Sequence, residues 1–132
     1  MNRTKTIYEI EAEVFGALAH PARLEILELL RDGEACVCHI QAMLDQRQAY
    51  ISQHLNVLRQ AGLVTNRKEG LRVYYQLTGP EVLDVVDHTR TALQSLGEWQ
   101  DAGQLAVTSS PTPSPILAKA CNCPQCAPSP GC

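Results

Sequence analysis

Cysteines are the residues of this sequence with the most evident chemistry. The chain has 132 residues, six of them cysteine, and Cys36 and Cys38 lie one residue apart. The remaining four crowd the end of the chain, at Cys121, Cys123, Cys126 and Cys132. Reducing cell interiors disfavour structural disulfides, so cysteines in a protein that we expect in the cytoplasm indicate metal binding or redox sensing. Because thiolates prefer soft ions, we expect the ligand to be a thiophilic metal or metalloid ion.

The number of available thiolates decides which ion fits. Three sulfur donors suit arsenite or antimonite, whereas four suit cadmium, lead or zinc. Cys36 and Cys38 alone supply too few donors for a tight site for a soft ion. We favour arsenite, because one thiolate from the tail would complete a set of three sulfur donors. Either the tail joins Cys36 and Cys38 in one site, or the tail forms a separate site. The predicted ligands are Cys36, Cys38, Cys121, Cys123 and Cys126.

The spacing of Cys36 and Cys38 sets a geometric condition. On a regular helix of 3.6 residues per turn, positions i and i+2 point about 200° apart. Two thiolates on one tetrahedral ion lie only about 3.8 Å apart, given metal–sulfur distances of ~2.3 Å. The pair can therefore bind one ion only if the start of its helix is extended or unwound.

Hydrophobic periodicity predicts the elements that position these cysteines. Apolar residues at three-to-four spacing predict helices over residues 6–19, 21–32, 37–44, 48–60 and 81–100. β-Branched and aromatic residues around Glu69 and Gly70 predict a hairpin within residues 63–77. Two short helices, a tight turn between them and a basic hairpin are typical of a winged helix-turn-helix. We therefore expect a mainly α fold with a small β-hairpin.

Positive charge is concentrated in the middle of the chain. The net charge is -3, yet residues 47–76 hold five basic residues against one acidic residue, which favours binding of a polyanion. Helix 48–60 would enter the major groove, where amides read base edges, while hairpin cations would meet phosphates. The predicted DNA-contacting residues are Arg47, Gln48, Ala49, Tyr50, Ser52, Gln53, His54, Asn56, Arg67, Lys68 and Arg72.

Composition divides the chain into three parts. Residues 1–103 carry the periodic elements and are predicted to form one DNA-binding and dimerisation domain. Residues 104–120 are rich in proline and serine and are predicted to be a linker. Residues 121–132 form the cysteine-rich tail, which we expect to be flexible and able to reach a site on its own or a partner subunit. We expect no membrane span, because no apolar run approaches the ~20 residues required.

Four segments resemble the ArsR/SmtB family of metal-sensing bacterial repressors over about residues 8–95: ALAHPARLEILELL, CVCHI, ISQHLNVLRQAGLV and RVYYQL. Within them, EACVCHI is similar to the family's metal-box pattern E-L-C-V-C-D-L, with Ala35 in place of Leu and His39 in place of Asp. Gln41 stands where some members carry a third cysteine. The resemblance implies homodimers, formed through the first and last helices, that bind palindromic double-stranded operator DNA and leave it when metal binds.

Two other functions are compatible with the same residues. A repressor of this fold could respond to oxidation, with Cys36 or Cys38 pairing with a tail thiol. Alternatively, the chain could be a metal-buffering protein whose helical domain only dimerises. An enzyme is not expected, since the sequence offers no nucleophile–base–acid set, no phosphate-binding glycine loop and no convergent pair of carboxylates.

Overall fold

The computed structural model describes residues 4–96 and has the predicted order of elements. The five α-helices in this part of the chain are α1 (Ile7–Leu18), α2 (Pro21–Leu29), α3 (Val37–Leu44), α4 (Gln48–Gln60) and α5 (Glu81–Ser95). Its three strands are β1 (Ala35–Cys36), β2 (Val64–Glu69) and β3 (Arg72–Leu77). The mainly α fold with a small hairpin is thereby confirmed. The predicted linker and the tail cysteines lie outside the described residues.

Local capping explains where the helices next to the site begin and end. The His20 side chain caps α2 by accepting a hydrogen bond from the Ala22 N–H, and Pro21 occupies the first turn, where no amide proton is needed. Cys36 caps α3, and its sulfur accepts from the His39 N–H at 3.4 Å. After α4, Gly62 adopts a left-handed φ of 79°, a conformation common where helices end.

The hairpin is part of a three-stranded antiparallel sheet in the order β1-β3-β2. Hairpin strands β2 and β3 are joined by a tight turn in which Gly70 has a φ of 60°, a conformation open to glycine. The short strand β1 adds Ala35 opposite Tyr75 and Cys36 opposite Tyr74. This third strand was not predicted from the sequence, and it places Cys36 within the sheet that carries the hairpin.

A core of aliphatic side chains holds α2, α3, α4 and the sheet together. Its fully buried members include Ile26, Leu27, Leu30, Ile40, Ile51, Leu55, Leu58 and Val64. Helix α1 contributes Ala17 and Leu18 to this core, and Val14 packs against it. None of the helices between residues 4 and 96 is long and apolar enough to span a membrane.

Helix α1 exposes several apolar side chains to solvent in the single chain. Phe15 and Ile7 are each 60% exposed, and Tyr8 is 78% exposed. Ile10, which lies one turn after Ile7 in this amphipathic helix, is exposed as well. An unpartnered apolar face of this kind is typical of a subunit interface.

Candidate nucleic-acid interface and thiol site

Helices α3 and α4 form the helix-turn-helix unit. Asp45 ends α3 in the left-handed conformation with a φ of 51°, which turns the chain sharply towards α4. Ile51, Leu55 and Leu58 fix α4 in the core by one side of the helix. The opposite side projects the predicted reading residues into solvent: Gln48, Ala49, Ser52, Gln53 and Asn56 are all exposed. Arg47, the residue before α4, is exposed as well.

His54 lies on the inner side of α4 and is 7% exposed. Its ring centroid lies 4.3 Å from that of the His20 ring, which is tilted against it, and 4.5 Å from that of the Tyr50 ring, which it meets edge to face. Its Nδ1 accepts a hydrogen bond from the Nε of Arg23 at 3.2 Å. Burial, followed by the nearby His20 and Arg23, lowers the pKa of His54 below its usual 6.5. This histidine is placed to hold α4 against α2.

Arg23 and Arg59 are two positioning residues that the sequence reasoning missed. Besides His54, Arg23 donates to the carbonyl oxygens of Gly16 at 3.0 Å and Ala17 at 3.3 Å, which ties the end of α1 to the buried side of α4. Arg59 donates to the side-chain oxygen of Asn56 at 2.9 Å and leaves the Asn56 amide group facing out. The Arg59–Asn56 spacing of one helical turn is a signal that could have been used.

The hairpin carries three basic side chains in different surroundings. Arg67 donates to both carboxylate oxygens of Glu34, at 2.7 and 2.6 Å, and to Glu69 at 2.6 Å. Arg67 holds the pKa of Glu34 below its usual value. Lys68 is exposed. Arg72 is half-buried, and its Nη1 atom has no hydrogen-bond partner within the described part of the chain. Arg67 is exposed as well, but two carboxylates hold it.

Cys36 and Cys38 lie at the start of α3 in two different backbone environments. Cys36 is extended, with φ -81° and ψ 160°, and is 2% exposed, whereas Cys38 lies in the first turn of the helix and is partly exposed. The condition set by their spacing, an extended backbone at the start of the helix, is met at Cys36. Between residues 4 and 96, no group of three or more His, Cys, Asp and Glu side chains is arranged to hold a metal ion.

An ion-pair cluster joins α5 to the end of α2. Arg31 donates to both oxygens of Asp87, at 2.8 and 3.1 Å, and to Glu28 at 2.7 Å. Arg90 completes the cluster by donating to Glu28 at 3.0 Å and to Asp87 at 3.4 Å. The hydrogen bonds from Arg31 lower the pKa of Asp87. The cluster fixes the last helix beside the segment that leads into β1.

Known proteins resemble the chain in sequence and in fold. Residues 20–66 match the bacterial regulatory proteins of the arsR family. An uncharacterized HTH-type transcriptional regulator of Methanocaldococcus jannaschii is 44% identical over 80 residues, which are 60% of this chain and 90% of that protein. The arsenic resistance transcriptional regulator ArsR1 of Pseudomonas putida is 38% identical over 107 residues, which are 78% and 83% of the two chains. The chain belongs to the ArsR/SmtB family.

A solved structure supports the same conclusion for the fold of this ArsR/SmtB protein. The homodimeric winged helix-turn-helix DNA-binding domain of a possible ArsR-family regulator from Mycobacterium bovis matches with a TM-score of 0.64 and 30% identity. The match covers 74% of this chain and 94% of that domain. The predicted winged helix-turn-helix is confirmed, and so is the expectation that the protein is a transcriptional regulator and not an enzyme. Its role as a DNA-binding repressor follows from the family.

Proposed function

We propose that this ArsR/SmtB protein is a homodimeric repressor that leaves a palindromic operator when a thiophilic ion binds Cys36, Cys38 and one or two tail thiolates. Arsenite or antimonite is the favoured inducer, with cadmium, lead and zinc as alternatives. The observation that carries the proposal is the position of Cys36. It lies at the extended start of α3, the helix that packs directly against the recognition helix α4.

The thiol pair fits a soft ion in its chemistry and in its backbone. Because Cys36 precedes the helix while Cys38 is within it, the unfavourable i and i+2 geometry of a regular helix does not apply. The pair supplies two sulfur donors, and the described residues arrange no larger group of donors around it. The remaining donors would come from Cys121, Cys123 or Cys126, of the same or the partner subunit. Bound there, the ion would crosslink these thiolates.

The cysteines are connected to DNA binding by the packing of α3. Ile40 of α3 and Ile51 and Leu55 of α4 belong to one core, so a change at the start of α3 is transmitted to the recognition helix. An inducer needs only to bind more tightly to the conformation that does not hold DNA. Binding of Cys36 and Cys38 to one ion would favour such a conformation.

The exposed side of α4 supplies the proposed DNA contacts. Gln53 and Asn56 can read base edges in the major groove, since side-chain amides offer both a donor and an acceptor. Arg47, Ser52 and Lys68 are exposed and would meet backbone phosphates. His54 is buried and supports the orientation of the helix, so in this proposal it makes no direct contact with DNA.

The exposed apolar side chains of α1 support a dimer. Ile7, Tyr8, Ile10 and Phe15 would be covered by a second copy of the chain, and Leu96, beyond the end of α5, is 71% exposed. The relative from Mycobacterium bovis is a homodimer. A dimer formed through the first and last helices would place two copies of α4 on one palindromic DNA site.

The proposal is tested by titrating reduced protein on its own upstream DNA with arsenite, antimonite, cadmium, lead or zinc, one ion at a time. The cysteines are first reduced under anaerobic conditions, so that their thiolates are available to the ion. Wild-type protein should lose DNA affinity with at least one ion. The Cys36→Ser variant should bind DNA normally but fail to respond, because a serine hydroxyl preserves the cap of α3. Cys132→Ser is the matched control and should respond like wild type.

Other outcomes identify the alternative functions. Release by an oxidant but by no ion would indicate a thiol redox switch, and the absence of any operator affinity would indicate a metal-buffering protein. Deleting residues 104–132 separates the two arrangements of the metal site. If the deletion leaves ion affinity at Cys36 and Cys38 unchanged, the shared site is wrong.

A further inference from the structure

The wing, defined here as the hairpin of β2 and β3, forms an ion pair with the thiol segment, defined as residues 34–38. Glu34 lies two residues before Cys36, and both of its carboxylate oxygens accept hydrogen bonds from the guanidinium of Arg67, on β2. The Glu34 side chain is only 15% exposed, while that of Arg67 is 49% exposed. A two-point contact to a largely covered carboxylate is much better defined than a single surface contact.

The same face of the sheet connects Cys36 with Arg67. Cys36 is opposite Tyr74 across one pair of strands, and Arg67 is opposite Tyr74 across the other. Because residues directly opposite each other in an antiparallel pair project to the same face, the three side chains form a row. The guanidinium of Arg67 lies over the Tyr74 ring at 4.5 Å from its centroid. A displacement of Cys36 therefore acts on the immediate surroundings of Arg67.

We propose that Glu34 competes with operator phosphate for Arg67, and that this competition links the thiol site to the wing. In the protein without DNA, Glu34 and Glu69 hold Arg67. On DNA, Arg67 exchanges Glu34 for a phosphate oxygen. Binding of an ion by Cys36 and Cys38 would favour the contact between Glu34 and Arg67. Arg67 would then no longer contact the DNA phosphate. The second part of this inference rests on the proposed ion-induced release, whereas the first part rests only on DNA binding.

Lys68 provides the contrast on the same strand. Its side chain is exposed, so it can reach a phosphate without giving up a well-defined carboxylate contact such as that of Arg67. Each phosphate contact changes the slope of log affinity against log salt by about one. The salt slope therefore reports how many wing cations are engaged with DNA.

The first experiment uses the full-length, reduced, ion-free protein and measures operator affinity and its salt slope. Glu34→Gln should raise affinity by about two- to fivefold, the range expected for loss of one partly exposed ion pair, because Arg67 then meets phosphate without competition. Glu25→Gln removes the same charge from an exposed position on α2 and serves as the control for overall charge. The gain from Glu34→Gln should disappear in an Arg67→Gln background, since the competitor acts through Arg67 alone.

Three results would overturn the competition. Glu34→Gln could raise affinity no more than Glu25→Gln, or it could raise affinity equally when Arg67 is absent. Alternatively, Arg67→Gln could leave the salt slope unchanged, while Lys68→Gln lowers it by about one. Circular dichroism and urea unfolding of each variant establish that the fold is retained, so that a change in affinity is assigned to the DNA contact.

The second experiment tests the link to the thiol site and compares DNA affinity with and without the ion that releases wild type. The Glu34→Gln variant should bind that ion with unchanged affinity. The ion should, however, lower the DNA affinity of this variant several-fold less than it lowers that of wild type. Equal release of Glu34→Gln and wild type would exclude the link. If no ion releases wild type, the proposed inducer is wrong, whereas the ion-free measurements still decide whether Glu34 competes for Arg67.

Discussion

Cys36 is paired with Tyr74 across β1 and β3, so a proposed ligand of the inducing ion is itself a strand residue of the wing sheet. The same cysteine caps α3, whose partner in the helix-turn-helix unit is α4. One residue is thus joined by its backbone to both parts of the protein that are expected to touch DNA. Movement at this position can change the wing and the recognition helix together.

Gln53→Ala should weaken binding to the operator by about 1–3 kcal/mol, the loss expected for one bidentate base contact. Binding to unrelated DNA should hardly change, because phosphate contacts remain. The side chain is exposed, so the free energy of unfolding should be the same as in wild type. Fluorescence anisotropy on both DNAs measures the difference, with Gln94→Ala on α5 as control. Equal losses on the two DNAs would show that Gln53 does not read sequence.

Phe15→Glu should convert the proposed dimer into a single chain of 14.5 kDa. The Phe15 side chain is 60% exposed in the single chain, so a charge there does not enter the core but opposes burial against a partner. Sedimentation velocity over a range of concentrations measures the mass. Leu71→Glu, at the fully exposed tip of the wing, should leave the dimer intact. A stable Phe15→Glu dimer would place the interface elsewhere.

The stability of the protein should decrease as the pH falls through 6.5 and below. The pKa of His54 is lowered in the folded protein, so the unfolded chain binds the extra proton first, and its uptake favours unfolding. The contribution of His54 is complete above pH 6.5 and is lost as the pH falls towards its folded pKa. His54→Gln should make urea unfolding less dependent on pH between 7 and 5. The exposed His88→Gln is the control, and an identical effect of both variants would contradict the prediction.

Asp87→Asn should lower the free energy of unfolding by about 0.5–1 kcal/mol, since it removes a carboxylate that Arg31 contacts through two nitrogen atoms. The pairs are partly exposed, so the difference from wild type should shrink in high salt. The Asp87 pKa is lowered in the folded protein, so the difference should also vanish as the pH falls below 3.8, where the unfolded chain takes up the proton. Urea unfolding measures both effects, with Asp84→Asn as control.

Several features of the site followed from the order of residues. The bounds predicted for the helices of the helix-turn-helix unit, 37–44 and 48–60, agree with α3 and α4. The exposed face of α4 was also predicted, because a residue's side of a helix depends only on its spacing from Ile51 and Leu55. The need for an extended backbone next to Cys38 was predicted from geometry, and the structure meets it at Cys36.

Other features depended on residues that are distant in the sequence. His54 has a polar side chain in a helix with a polar face, yet it is buried. Arg23, 31 positions earlier, donates a hydrogen bond to it, and the His20 ring packs against it. Arg67 was predicted to contact phosphate from its charge and position in the hairpin. Its hydrogen bonds to Glu34, 33 positions earlier, could not be predicted in the same way. The first turns of α1 have the periodicity of a buried helix, and only the complete subunit shows that this face is left open.

The sequence by itself determined the helices and the hairpin, because caps, turns and periodicity act over a few neighbouring residues. It also holds the cysteine sulfur atoms on which the proposed ion site depends. The tertiary structure decided that Ala35 and Cys36 form a third strand, that Glu34 holds Arg67 and that His54 is buried. These contacts form only when the common core brings β1, β3 and α2 beside their distant partners, so no local pattern encodes them.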